Sequence, residues 1–503
     1  MKLSTMILKI QGNRILSLLV SLILFGLCGY LLGRTVMDPT KIRLLFFISI
    51  SLIMVALSIR RPAWMLYGIL IYLPFMGFFR RALIPSSGWS SFDPLVILAP
   101  SMVMLLGSYW VYWTYLRRQG VPKEKDTRLF KLVRWMIFID MIQIVNPLQG
   151  SILTGLGGVI FYVVPLFWMV LTRMHFNARW ISVIYGTVCT VGVVSALYGL
   201  KQIFYGFSSF ENQWIDIANY AALMVSQTES RAFSFFTNGA EYTIYLVMAI
   251  VIAWVLLLRG TFIQKVIAIV ILPLLFYGMF LQSVRTPVIL TAFSLSVLTI
   301  INAKKASTRW FTAILMSVAL VGAFSVITKL DTSSSALIAH QVNGLANPLD
   351  QQHSTALIHV QMFQSGIIQG LSMPIGRGLG VTTLAGMKLS NNGASSEVDL
   401  SNMMISDGVI GGVIYALIIL EALRLAFKEA KASSHGLIIL GILLATLGSW
   451  SIGGNYSASA IIWLSIGYLD VLTLKRRREL LTCAENDAIA DKQAIGISKP
   501  LPS

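Results

Sequence analysis

Long apolar stretches alternate along the chain with short connections rich in Lys, Arg, Gly and Pro, and most run too far without a polar face to be amphipathic surface helices. Spans are expected near 15–33, 43–59, 62–79, 93–115, 130–147, 155–173, 181–200, 238–258, 266–283, 287–303, 310–328, 408–427, 436–453 and 458–474. The predicted fold class is all-α, a polytopic helical membrane protein with about 14 transmembrane helices. The rhythm breaks once at length, from Lys329 to Asp407. This divides the chain into eleven spans over 1–328, a large extracytoplasmic loop over 329–407, three last spans over 408–474 and a cytoplasmic tail over 475–503. A loop this long is usually either functional or disordered. Its Ile358, Val360, Met362, Phe363, Ile367 and Ile368 are too many apolar side chains for a solvated linker, which favours function.

Composition sharpens the class. With 56% hydrophobic and 12% charged residues, against roughly 25% charged in soluble domains, the chain cannot be a water-soluble globule. The net charge of +18 does not point to nucleic acid, because the basic residues sit in short clusters between spans. Lys2/Lys9/Arg14, Arg60/Arg61, Arg117 through Arg128, Arg173/Arg179, Arg259/Lys265, Lys304/Lys305/Arg309, Arg424/Lys428/Lys431 and Lys475–Arg478 fall on one face, which the positive-inside rule makes cytoplasmic. Both termini are then cytoplasmic, and the large loop and a shorter one, Lys201–Thr237, face outward. Arg34/Lys41/Arg43 and Arg80/Arg81 break the trend. The first apolar run shows no small-residue cleavage site and is expected to span. Cys28, Cys189 and Cys483 are not placed to pair, and no cofactor is implied.

An arginine at the outward end of a span needs either a snorkelling explanation or a ligand. Arg231 and Arg285 are such residues. Arg285 lies in Gln282-Ser-Val-Arg-Thr-Pro287, where backbone N–H groups at a helix start and a guanidinium can converge on an anion. Structural capping or pairing is the alternative for each taken alone. Arg377 is flanked by Gly376 and Gly378, which admit close backbone approach to a ligand or simply make a turn. Glu397 and Asp399 form either an acidic catalytic pair, Asp399 raising the pKa of Glu397, or a solvated patch. His340, His353 and His359 have no zinc-ligand spacing, so no metal site is predicted; His359 is an acceptor-sugar contact in one reading and a solvated or capping histidine in the other. Phe210 and Trp214 admit sugar stacking or an interfacial aromatic belt.

Several segments of the second half resemble bacterial O-antigen ligases and O-antigen polymerases (Wzy-type), membrane glycosyltransferases of helical, GT-C-like architecture. They are Tyr198–Gln202 (YGLKQ), Arg231–Leu246 (RAFSFFTNGAEYTIYL), Ser283–Thr286 (SVRT), Met373–Gly380 (MPIGRGLG) and the Gly408–Gly411 turn (GVIG), in that order around one large late loop. The resemblance implies a polyprenyl-diphosphate-linked oligosaccharide donor and a similar acceptor in the inner membrane. Arginines matching Arg231 and Arg285 would hold the diphosphate without a metal. Chain-length regulators and other polysaccharide-assembly proteins are the partners it implies. Ligases of the family carry a His where counting back from Gly408 finds Glu397, so the ligase signature is absent.

The expected function is therefore polymerisation of lipid-linked repeat units. Arg231, Arg285 and Arg377 would stabilise the departing diphosphate, and Glu397 would act as base. Ligation to another acceptor is one alternative. Export of lipid-linked saccharide is another; it would use Asp140 or Glu241 at depth, though no internal repeat favours a carrier. The charge pattern predicts that a cysteine at Asn392 is labelled from outside intact cells and one at Lys123 is not; labelling of both, or the reverse, would overturn the topology.

Overall fold

A segment apolar on every side can satisfy its backbone in lipid only by coiling into a helix, and the chain is built almost wholly of helices. The computed structural model describes residues 41–90, 93–111, 126–218, 223–226, 229–333, 335–350, 356–390, 393–394 and 398–496. The first helices are α1 (Ile42–Arg60), α2 (Pro62–Ala82), α3 (Pro94–Val111), α4 (Arg128–Gln143), α5 (Ile152–Val159), α6 (Val163–His175), α7 (Ala178–Tyr205) and α8 (Ser209–Ala218). They are followed by α9 (Gly239–Arg259), α10 (Phe262–Phe280), α11 (Arg285–Asn302), α12 (Ala306–Ile327), α13 (Ala336–Ala346) and α14 (Ala356–Ser372). The last three are α15 (Asp399–Ala430), α16 (Ser434–Ala445) and α17 (Tyr456–Gly496). Among the described residues, 10 helices are long and apolar enough to cross a membrane, α5 and α6 counting as one, and α3 and α16 are shorter apolar helices. The chain is thus a multi-pass helical membrane protein. The span expected at 15–33 lies outside the described residues.

Helix starts follow local capping chemistry. Thr127, Asn177, Asn238 and Ser433 each place a side-chain oxygen on a free N–H of the first turn of α4, α7, α9 and α16. Thr261 and Gln264 form a reciprocal capping box on α10. At the centre stands α9, buried almost along its whole length from Glu241 to Val255. It packs on α7, α10, α11, α16 and α17, and α17 lies along α6. Small residues let these helices close up: a Cβ on Gly467 would meet the Met169 backbone. At the other extreme, α12 buries no residue and rests on α11.

Of the arginines that break the charge trend, Arg43, Arg80 and Arg81 are occupied inside the protein, and Arg34 lies outside the described residues. Arg43 pairs with Asp93 and donates to the Gly88 carbonyl (2.6 Å), while Arg80 reaches the same Asp93 (3.2 Å). Arg81 is fully buried and donates to Phe236 O (2.7 Å) and Ser234 O (2.9 Å). Their positions answer to these partners, which a rule for loop charges does not see.

The long interruption at 329–407 has its own structure. It contains α13, α14 and a short helix, Leu384–Leu389, and its end is already the first part of α15. That part, Asp399–Asp407, is polar yet largely buried, so protein rather than water satisfies it. The helical path then breaks at Gly408 (φ 71°, ψ −166°), a conformation essentially reserved for glycine. The freed backbone groups are taken by the segment around Gly376: Arg377 N donates to Ile405 O (2.9 Å), Gly378 N to Ser406 O (3.0 Å) and Val409 N to Pro374 O (3.1 Å). From below, Gln143 Nε2 donates to Ile375 O (2.7 Å) and Asn146 Nδ2 to Gly376 O (3.1 Å). A Cβ at 408 would collide with Pro374 O. Gly408→Ala is therefore expected to lose roughly 2 kcal/mol or more of stability, from strain and collision together. Gly186→Ala, whose Cβ meets open space, should leave the unfolding midpoint of the detergent-solubilised protein unchanged; equal midpoints for both variants would contradict this account.

Candidate anion site at the end of the helix bundle

The segment that carries Arg231 is shaped from beneath. Gln202 Oε1 accepts from Phe233 N (3.1 Å) and Ser234 N (2.8 Å), and its Nε2 donates to Glu211 (2.7 Å). The Arg81 guanidinium lies 4.3 Å over the Phe233 ring and 5.3 Å over Trp214. Gln202, from YGLKQ, and the Phe233–Phe236 run thus meet in space. Trp214 is buried against Phe233 (5.0 Å between centroids) and Phe210 sits edge-on to Phe78, so both rings have partners within the protein.

Beyond this support, two of the expected arginines come together. Arg231 Nη2 donates to Ser283 O (3.4 Å), and Arg285, the first residue of α11, donates through Nη2 to His340 O (3.1 Å). The His340 ring completes the group: Nδ1 lies 2.7 Å from Ser283 Oγ, and Nε2 lies 3.3 Å from Arg285 Nη2. Arg285 can lie across α13 because position 344 is glycine; a Cβ there would coincide with the guanidinium. Burial first, then the positive Arg285 and Arg231, push the His340 imidazole down to about 4. Near neutral pH the cluster therefore holds two fixed positive charges and a neutral ring. Together with the start of α11, which has no side-chain cap, this arrangement favours an anion.

Helix α13 is brought to the cluster by Glu229. Its carboxylate accepts from Ser335 Oγ (2.8 Å), Ala336 N (3.0 Å) and Leu337 N (3.0 Å), capping the helix and tying the segment before α9 to the segment after α12. Burial works against the Glu229 charge, but these donors overcome it and hold the carboxyl below its usual range.

The remaining expected residues lie elsewhere. Arg377 sits on the segment that bridges the Gly408 break, with Nη1 3.4 Å from Gln369 Oε1. His359 is on an exposed part of α14. Glu397 lies outside the described residues. Asp399 is buried and accepts from Tyr415 Oη (2.8 Å) and Trp450 N (2.8 Å), so it pins the start of α15 to the turn before α17. Glu241 is likewise occupied, by Ser457 N (2.6 Å), Ser457 Oγ (2.6 Å) and Thr237 Oγ1 (2.6 Å).

A second polar group, at the helix break, pairs a residue singled out from the sequence with one that was not. Asp140 of α4 and Asp407 of α15 are both buried and close enough to interact, and neither carboxylate has a hydrogen-bond partner among the described residues. Beside them run the hydroxyls of Tyr162, Thr382 and Ser406, linked at 2.5 Å and 2.7 Å. Asp407 was passed over because it closes a polar stretch; an acid immediately before a glycine at the mouth of an apolar run was the signal available. His340 carried no such signal.

Comparison with protein-family models and with curated proteins finds no match to the chain.

The Glu229 cap makes the site's order depend on pH. Its depressed folded pKa means the cap stabilises above the unfolded carboxyl pKa and is lost as pH falls through the folded value. Glu229→Gln should raise amide exchange in 336–346 at neutral pH, and the wild type should approach that behaviour on acidification. Equal protection in both proteins at pH 7 would remove the cap's assigned role.

Proposed function

We propose that the chain is a membrane glycosyltransferase that polymerises lipid-linked oligosaccharide repeat units, without a metal, at the outer face of the inner membrane. The observation that carries this reading is the convergence of Arg231 and Arg285, from different segments, around Ser283 and His340. Two adjacent guanidiniums suit a diphosphate, whose oxygens accept paired N–H donors. In the transfer, an acceptor hydroxyl attacks the anomeric carbon of the donor. The bond from that carbon to the diphosphate oxygen breaks, and the leaving diphosphate keeps the electron pair. The arginines neutralise that charge, and Glu397 takes the hydroxyl proton. Arg377 would add to the charge stabilisation of the diphosphate, and His359 would contact the acceptor sugar. In this reading the bundle has fourteen spans with both termini cytoplasmic. The order of the segments that resemble O-antigen ligases and polymerases supports the family reading, and Glu397, which stands where ligases carry a His, favours the polymerase over the ligase.

A second reading, export of a lipid-linked saccharide, is favoured by one feature. Asp140 and Asp407 form an unpartnered acidic pair beside a broken helix, where carriers place coupling groups.

Deletion in the native cell separates the readings. Loss of surface polymer with single repeats still delivered supports the polymerase, whereas loss of all outward units supports the exporter. In an assay with purified lipid-linked repeats, Arg285→Ala should abolish polymer while the protein remains inserted, and Arg285→Lys should recover it only in part. Glu397→Gln should slow turnover by roughly a hundredfold or more. Full activity of Arg285→Ala would remove that arginine from the donor site.

A further inference from the structure

We propose that His340 is a proton-loaded third cation of the diphosphate site, neutral when the site is empty and protonated when a lipid-linked diphosphate enters. The inference rests on the diphosphate reading above and deepens it.

The argument begins with hydrogen-bond roles. A guanidinium only donates, and Arg285 Nη2 lies 3.3 Å from Nε2 and 3.5 Å from Nδ1 of the same ring. Ser283 Oγ, 2.7 Å from Nδ1, is a hydroxyl that gives or takes a hydrogen bond in either tautomer of the neutral ring. A second ring proton would set two donors against each other beside two positive charges. An anionic oxygen entering between Arg285 and His340 removes both objections: it accepts from Nη2 and from the newly protonated ring nitrogen, and its charge offsets the arginines. The surroundings contribute little else that titrates. Arg285 faces the ring from α11 and Arg231 from the neighbouring turn, with Glu229 of that turn engaged by Ser335, Ala336 and Leu337. Helix α13 has no other titratable side chain. The proton comes from solvent, so binding takes up about one proton and strengthens as pH falls.

The imidazolium adds a third donor to the diphosphate, and the ring returns its proton to solvent once the diphosphate has left. His340 is a positioning residue in this account, acting on the lipid-borne group and not on the reacting hydroxyl.

The test uses the purified full-length protein in nanodiscs with farnesyl diphosphate as probe and inorganic pyrophosphate as the lipid-free comparison. Calorimetric titrations at neutral pH in buffers of different ionisation enthalpy should show uptake of about one proton beyond the probe's own ionisation change. Between pH 7.5 and pH 5.5 the affinity of the wild type should rise roughly a hundredfold more than that of His340→Gln, about tenfold per pH unit for one proton taken up, the probe's own titration being common to both. The wild type should favour farnesyl diphosphate over pyrophosphate; equal affinity overturns a lipid-linked ligand. Parallel pH profiles for wild type and His340→Gln, or no proton uptake by the wild type, overturn the role of His340 while leaving the anion site in place. Failure of the wild type to bind either probe removes the diphosphate reading itself.

Discussion

A guanidinium buried where α2 ends orders the end of the bundle that carries the anion site. Arg81 has no acidic side chain as hydrogen-bond partner among the described residues and spends its donors on two backbone carbonyls, Phe236 O and Ser234 O, with its plane over Phe233. A charge held by carbonyls and an aromatic face is costly to bury and correspondingly specific about geometry. Ser234, at a positive φ of 50°, is locked by it, by Gln202 and by its own hydroxyl on Ser195 O (2.8 Å). That lock sets the direction in which the chain leaves Arg231 and enters the deeply buried α9. The candidate anion site is thus fixed from below through backbone, while its own arginines remain turned toward one another.

The helical, membrane-spanning class was legible from the apolar runs because lipid leaves the backbone no other regular option. The placement of Arg231 and Arg285 was partly legible, since both stand where apolar segments end on the same expected side. Their meeting was not, because it depends on α13 folding back across Ser283, and a short helix with an unremarkable sequence advertises no docking partner. The same cause hid His340. Asp399–Asp407 looks like loop by polarity, but it is helical up to the break at Gly408, with Asp399 held by Tyr415 and Trp450 and backbone carbonyls held by the Gly376 segment. Hydropathy measures what a helix would show to lipid, and this part of α15 shows lipid little. Trp214 and Phe210, read as interfacial or sugar-stacking rings, have protein partners because α8 turns back onto α2.

The acidic side chains within the bundle divide by how they are answered. Asp93, Asp399 and Glu241 each tie separate segments together and have arginines, hydroxyls or backbone amides directed at them. They are the rivets expected of buried charge. Asp140 and Asp407 stand apart because both are buried and nothing described donates to either. Their position beside Gly408 places the cost of that burial where the backbone is also least helical.

The two ends of the large loop are anchored in different media. Its far end runs into α15, gripped on several sides by protein. Its near end hangs from α12, a helix of 22 residues with no buried side chain, whose length of about 33 Å at 1.5 Å per residue matches a bilayer's hydrocarbon core. With acyl chains as its main neighbours, α12 takes its depth and tilt from membrane thickness more than from side-chain fit. The loop bearing His340 is consequently suspended between a rigid mooring and a floating one, so the lipid composition around the protein becomes part of what sets the slack over the arginines.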